Sequence, residues 1–244
     1  MPKVKFAVYH VPEEGSAFYR LGTHLLGYDV RARSSVALPP DLRGRLGPLE
    51  ATWTASTTLA QPYGFHLTIS EALDCTFAAI PQIETELAAL LGCFDPAHPF
   101  TLRRRGEMPV GIWGAPGQHS LVLLYEPNDY LRMLHTLIVA RINPLGTGSG
   151  FLERYLAHPA QETQAHRAQQ TRLFYSPTVL DNWWPHFTVL NPFSGDPAAP
   201  AALLAELFAP YELLTVSSVC LVVQLDEAAP WLIYREVQRP APSD

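Results

Sequence analysis

Two short stretches of the 244-residue chain, YGFHLTI at 63–69 and WPHFTVL at 184–190, carry the same H-x-T triplet among strand-forming residues. Side chains alternate faces along a strand, so His66 and Thr68 share a face, as do His186 and Thr188. Each stretch offers an imidazole beside a hydroxyl, with Leu67 or Phe187 turned the other way. Two imidazoles flanking one small group can divide acid and base work. A neutral ring takes a proton from a nucleophile, and a protonated one gives a proton to a leaving oxygen. The threonine hydroxyls can donate hydrogen bonds to non-bridging phosphate oxygens, whose negative charge must be held through the transition state. In-line displacement at phosphorus needs acid and base on opposite sides, and a two-fold arrangement provides that. This chemistry requires no metal ion and no cofactor. The competing account is a pair of half-buried histidines hydrogen-bonded to backbone.

The elements that must position these residues repeat. Residues 4–11 read as a strand halted at Pro12, and Phe18, Leu21 and Leu25 form the stripe of a helix that Gly27 can close. Residues 31–58 read mostly as loop with room for a short helix, followed by the first histidine strand. Ile83, Leu87, Leu90 and Leu91 mark a helix ending near Gly92, and 99–105 and 110–113 read as two short strands. After a Gly/Pro break at 114–117 the order recurs. A strand at 121–125 stops at Pro127, and Leu131, Leu134, Ile138 and Ile142 give a helix. A long irregular stretch leads to the second histidine strand. A helix with Leu203, Leu204, Leu207 and Phe208 and strands at 214–225 and 231–237 close the chain. His66 and His186 lie 120 positions apart, and the same offset carries Ile83 onto Leu203 and Leu87 onto Leu207. Two copies of one unit are expected, not a solenoid of short repeats. A single H-x-T arises readily by chance; two at equivalent points of a repeated order do not.

Composition narrows the classes. With 48% hydrophobic residues and a formal net charge of −6, the chain suits one sizeable core and disfavours broad polyanion binding, so no stable nucleic-acid complex is expected. Lysine occurs only at Lys3 and Lys5. Cys75, Cys93 and Cys220 form no close pair, which argues against a disulfide framework or a structural zinc site. The remaining histidines show no metal-ligand spacing. No apolar run reaches transmembrane length, so a cytoplasmic monomer that touches no membrane is expected.

The motifs His66-Leu67-Thr68-Ile69 and His186-Phe187-Thr188-Val189, one in each half of a duplicated α+β chain, resemble those of the 2H phosphoesterase superfamily. That group includes RNA 2′,3′-cyclic phosphodiesterases, also called 2′-5′ RNA ligases. FAVYHVP at 6–12, LLGYD at 25–29 and YGFHLTI further resemble a branch whose genes often accompany phosphonate-utilisation operons. The resemblance implies a single bilobal domain over 1–244. Its pseudo-symmetric lobes, 1–117 and 118–244, would form a central cleft from antiparallel sheets, with helices outside. It further implies catalytic roles for His66 and His186 and phosphate-binding roles for Thr68 and Thr188. The chain departs from that branch across 172–184, and Ser70-Glu71 replaces the basic or apolar continuation expected after the first motif. The expected activity is metal-independent hydrolysis of a small cyclic phosphodiester, a 2′,3′-cyclic phosphate or cyclic sugar phosphate. Alternatives are an RNA-ligase-type transferase and a non-catalytic module that binds a nucleotide or phosphorylated metabolite.

Other residues invite a role. Tyr9 and His10 point to opposite strand faces, so at most one faces a cleft, and Tyr9 is the candidate. Tyr63 can close the pocket and Trp184 can stack a base, with packing the alternative for each. Arg103, Arg104 and Arg105 suit a solvated edge better than substrate guidance. The glycine-rich run 146–150 lacks a P-loop lysine and is expected to be a flexible connection.

Overall fold

The computed structural model of the chain describes residues 3–158, 164–227 and 229–240. Its elements, in chain order, are β1 (Lys3–His10), α1 (Ala17–Leu26), a small hairpin of β2 (Tyr28–Asp29) and β3 (Ser34–Ser35), α2 (Pro40–Leu46) and α3 (Glu50–Trp53). Then come β4 (Leu67–Thr76), α4 (Ile80–Gly92), β5 (Thr101–Arg104), β6 (Val110–Trp113), β7 (His119–Pro127) and α5 (Asp129–Arg141). The remainder comprises α6 (Gly150–Ala157), α7 (Ala165–Phe174), β8 (His186–Phe193), α8 (Ala198–Leu207), β9 (Leu213–Thr215), β10 (Ser218–Gln224) and β11 (Leu232–Gln238). The fold is mixed α+β, built on a strongly curled antiparallel half-barrel sheet.

Nine strands form the sheet in the order β11-β10-β1-β4-β8-β7-β5-β9, with β6 also on β7. Pairing crosses the 117/118 division in both directions. The late strand β10 pairs with β1, while the early strands β5 and β6 pair with β7. The two histidine strands are neighbours at the middle of this order. They meet in antiparallel fashion at one residue pair, Leu67 opposite Phe187.

Local sequence accounts for the helices that back the site. Ser16 caps α1 by accepting the Tyr19 N–H, and Gly27 closes it at φ 79°, a left-handed conformation that glycine adopts without a Cβ penalty. The middle of α1 lies against the first motif. A Cβ on Gly22 would sit 2.3 Å from the Phe65 ring, so only glycine permits this approach. Phe65 stacks on Phe187 at 5.0 Å, and Phe18, Tyr125 and Phe208 complete an aromatic cluster beneath both motifs. Aromatic side chains bury large areas, so this cluster anchors both motifs to the core.

Two segments differ from the sequence expectation. Residues 31–58 are mostly short helices, with Pro40 at the first turn of α2. The irregular stretch before the second motif contains α6 and α7. α7 shows no apolar stripe and buries only Ala168 and Thr171, so periodicity carries no signal there. The 146–150 run is tied to the edge of β4: Thr147 N–H donates to Asp74 O at 2.7 Å, and Asp74 N–H donates to Gly148 O at 2.8 Å. Ser149 then caps α6.

Candidate active site

The single Leu67–Phe187 pair places Thr68 across from His186, and His66, the residue just before β4, on the side of Thr188. All four side chains then share one face, while Leu67 and Phe187, both fully buried, occupy the other. The motifs thus cross about a pseudo-two-fold point. In an ordinary ladder the two histidines would be diagonal neighbours, with Cβ atoms about 7–8 Å apart. They are close enough that the charge of His186 disfavours protonation of His66.

The two imidazoles are held alike. His66 Nδ1 lies 2.9 Å from Gly64 O, and His186 Nδ1 lies 2.7 Å from Trp184 O, in each case the carbonyl two residues back. A carbonyl only accepts, so each Nδ1 carries the proton and each neutral ring keeps Nε2 as its basic atom. Thr68 Oγ1 donates to His66 Nε2 at 3.2 Å, while His186 Nε2 has no partner among the described residues. Backbone bonds of this kind also fit a purely structural histidine. The second nitrogen of each ring, however, is not locked into the interior.

A cleft divided into two chambers runs past these residues. One, about 510 Å³, is lined by Tyr9, Tyr63, His66, Thr68, Thr188 and Arg154 among others. The second, about 380 Å³, is lined by Thr68, Trp113, Thr178, Asn182, Trp184 and His186 among others. Thr68 and Glu71 line both. Each chamber lies in the size range of small-molecule sites. The cleft therefore gathers every residue singled out from the motifs and their surroundings: His66, Thr68, His186, Thr188, Tyr9, Tyr63 and Trp184.

Each histidine has its own aromatic neighbour. Tyr9 stacks on His66 with centroids 3.9 Å apart, and Trp231 and Tyr63 continue the group. His10 points the other way, buried with Nδ1 3.0 Å from Ser218 O, as strand alternation requires. Trp113 meets His186 edge-on at 4.5 Å. Trp183 and Trp184 part company: Trp183 is buried, stacks on His135 at 4.1 Å and donates Nε1–H to Thr68 O, whereas Trp184 is 46% exposed. Arg105 covers one face of Trp184 at 4.5 Å and pairs with Glu126. The basic cluster does not lie on a sheet edge, because β5 pairs with β7 on one side and β9 on the other; Arg103 is exposed and pairs with Glu212, and Arg105 reaches the cleft wall.

Burial sets the protonation of the site. It lowers His66 to about 4, against the pull of the Gly64 carbonyl and with a further push from His186. Burial likewise lowers His186, opposed by the Trp184 carbonyl. It raises the Glu71 carboxyl, opposed by the hydrogen bond from Thr178. Both rings are thus neutral at pH 7, and an anion between them favours return of a proton. Among the described residues no three His, Cys, Asp or Glu side chains converge as metal ligands would, and no helix is long and apolar enough to cross a membrane.

Sequence reasoning did not find Trp113, Glu71, Thr178, Asn182 or Arg154. Trp113 lies on a strand recognisable in the sequence, but its partner β7 belongs to the other half, and only that pairing brings it to His186. No protein-family model matches the chain, and no curated protein is similar to it.

Proposed function

We propose that the chain is a phosphoesterase that hydrolyses a small cyclic phosphodiester, a 2′,3′-cyclic phosphate or a cyclic sugar phosphate, by two-histidine acid and base catalysis. The observation that carries this is the paired geometry: two H-x-T triplets crossing antiparallel on one face, each imidazole tied through Nδ1 to the carbonyl two residues back. The same arrangement supports membership of the 2H phosphoesterase superfamily and its duplicated bilobal fold. One neutral imidazole takes a proton from water through Nε2 as the water attacks phosphorus. The opposite ring, protonated once the anion is bound, gives its Nε2 proton to the leaving oxygen. Thr188 donates to a non-bridging oxygen, and Thr68 does so by turning its hydroxyl away from His66 Nε2, which frees that nitrogen for proton transfer. The ring opens to a phosphomonoester and a free hydroxyl.

The test is a panel of 2′,3′-cyclic nucleotides and cyclic sugar phosphates assayed in the presence of EDTA, with His66→Ala and His186→Ala alongside. Each substitution is expected to reduce turnover by about 10²–10⁴-fold, the usual contribution of a positioned acid or base, with the fold intact by circular dichroism. Activity retained in both single variants would sink the mechanism. Product analysis with a 5′-hydroxyl acceptor present separates hydrolysis from ligation.

A further inference from the structure

The cleft contains a carboxyl group that phosphate chemistry does not call for. Glu71 lines both chambers, beside the Thr68 that a phosphate would contact. A carboxylate there repels an anionic substrate, so its presence needs a reason. Strand alternation gives none. Leu67, Ile69, Leu73 and Cys75 are buried, and a regular strand would put residue 71 on that same interior face.

The pairing of β4 with β1 shows how Glu71 escapes it. Thr68 faces Tyr9, Ser70 faces Val8 and Leu73 faces Phe6. From Thr68 to Ser70, β4 advances two residues while β1 advances one; from Ser70 to Leu73, it advances three while β1 advances two. Two extra residues are therefore inserted into β4. The first reverses the alternation, so that Ser70 turns inward and donates Oγ–H to Asn143 Oδ1 at 2.5 Å, while Glu71 turns to the cleft. The second restores the phase for Leu73 and Cys75. Bulges of this kind commonly re-aim a side chain beside a functional site.

Once in the cleft, Glu71 is held but not used up. Oε1 accepts from Thr178 Oγ1 at 2.9 Å, and no basic side chain among the described residues pairs with it. Around it in the smaller chamber stand Asn182 and the partly exposed rings of Trp113 and Trp184. A carboxyl beside two partly exposed rings, one of which carries Arg105 on a single face, suits a nitrogen donor, either a cationic amine or the amino edge of a planar ring.

We propose that Glu71 is a specificity-determining residue that takes an amino group of the substrate in the Trp113–Trp184 chamber while the phosphate lies between the two histidines. This rests on the phosphoesterase reading for the placement of the phosphate. An aminated phosphodiester brings a hydrogen-bond donor to Glu71 as it brings its anion to His66 and His186. A phosphodiester without one leaves the carboxyl with the Thr178 hydroxyl alone, and a second negative charge in that chamber is rejected.

Two matched pairs of probes test it. The first is 2-aminoethyl p-nitrophenyl phosphate against ethyl p-nitrophenyl phosphate. The second is adenosine 2′,3′-cyclic phosphate against purine riboside 2′,3′-cyclic phosphate. Within each pair the members differ by one amino group, the first cationic and the second part of an aromatic ring. Dissociation constants are read from tryptophan fluorescence for both pairs, and kcat/KM from product formation for the cyclic pair, the acyclic pair serving as a binding probe. The wild type is expected to prefer the amino member of at least one pair by tenfold or more, and which pair shows it identifies the source of the amine. Glu71→Leu should reduce that preference to within about threefold. Glu71→Gln, which keeps the shape and the Thr178 contact should Leu disturb folding, should weaken a cationic preference more than a neutral one. Absence of preference in both pairs, or a preference unchanged in both Glu71 variants, overturns the assignment. Selective binding with no turnover of the cyclic pair keeps Glu71 in its role and refutes the hydrolase; turnover of both cyclic members, with no selectivity in either pair, does the reverse.

Discussion

Acidification from pH 7 to pH 5 should remove a large part of the folding free energy, and the histidines account for it. His10, His66 and His135 are lowered by burial from 6.5 to about 4. A group that binds its proton more weakly when folded favours the unfolded chain once the pH falls below its unfolded value. The associated stability is present in full above about pH 6.5, falls as the pH drops towards 4, and does not change further below that. At pH 5 the unfolded form of each histidine is protonated and the folded form is not. Over the interval below 6.5, at 1.36 kcal/mol per pH unit, each contributes a loss of about 2 kcal/mol. The half-buried His66 contributes less than the fully buried His10 and His135, because solvent screens part of its shift. Together the three give a loss on the order of 5 kcal/mol, against total stabilities of about 5–15 kcal/mol for folded domains. His186 acts in the same direction and Glu71, whose folded form holds its proton more tightly, in the opposite one. Urea unfolding followed by circular dichroism at pH 7, 6 and 5 measures the loss. His10→Gln and His135→Gln, whatever they cost at pH 7, should each shrink the difference between pH 7 and pH 5 by about 1–2 kcal/mol. A wild type equally stable at both pH values, or variants with an undiminished difference, would refute the attribution.

Three further outcomes follow from the site. Since burial lowers both His66 and His186, the state with one ring protonated is most populated below pH 6.5 in the free protein. The kcat/KM optimum should lie there and the kcat optimum higher, because a bound anion favours the imidazolium; pH–rate profiles with a maximum of kcat/KM above pH 7.5 would contradict this. Gly64 supplies the carbonyl that holds His66 and adopts φ 71° and ψ 176°, a region open essentially to glycine, where an added Cβ would lie 2.4 Å from Val30 Cβ. Gly64→Ala should cost about 2–5 kcal/mol from strain and overpacking, read as a lowered Tm, and a change below 0.5 kcal/mol would count against the geometry. Thr188→Val, nearly isosteric but without a hydroxyl, should lower kcat/KM about tenfold or more with little change in Tm; unchanged kinetics would remove Thr188 from phosphate binding.

The local elements of this fold are legible because their causes are local. The stripe Phe18, Leu21, Leu25 with Gly27 behind it marks α1, and the β-branched and aromatic run before Pro12 marks β1. His66 and Thr68 were assigned to one face from alternation alone, as were His186 and Thr188, and the separation of Tyr9 from His10 follows from the same rule. Helix α7, with almost no apolar face, and the short helices between β3 and β4 left no such trace.

Two imidazole–hydroxyl pairs, each on one strand face, can be read from the amino-acid order alone, because strand alternation is written in consecutive residues. That β4 and β8 are neighbours crossing at Leu67 and Phe187, which merges the two pairs into one cleft, emerges with the folded sheet. The same sheet sets β6 beside β7, bringing Trp113 to His186, and turns Glu71 out of the core through two extra residues in β4. These features depend on which strands pair and in what register, and the hydrogen bonds that set them join residues far apart in the chain.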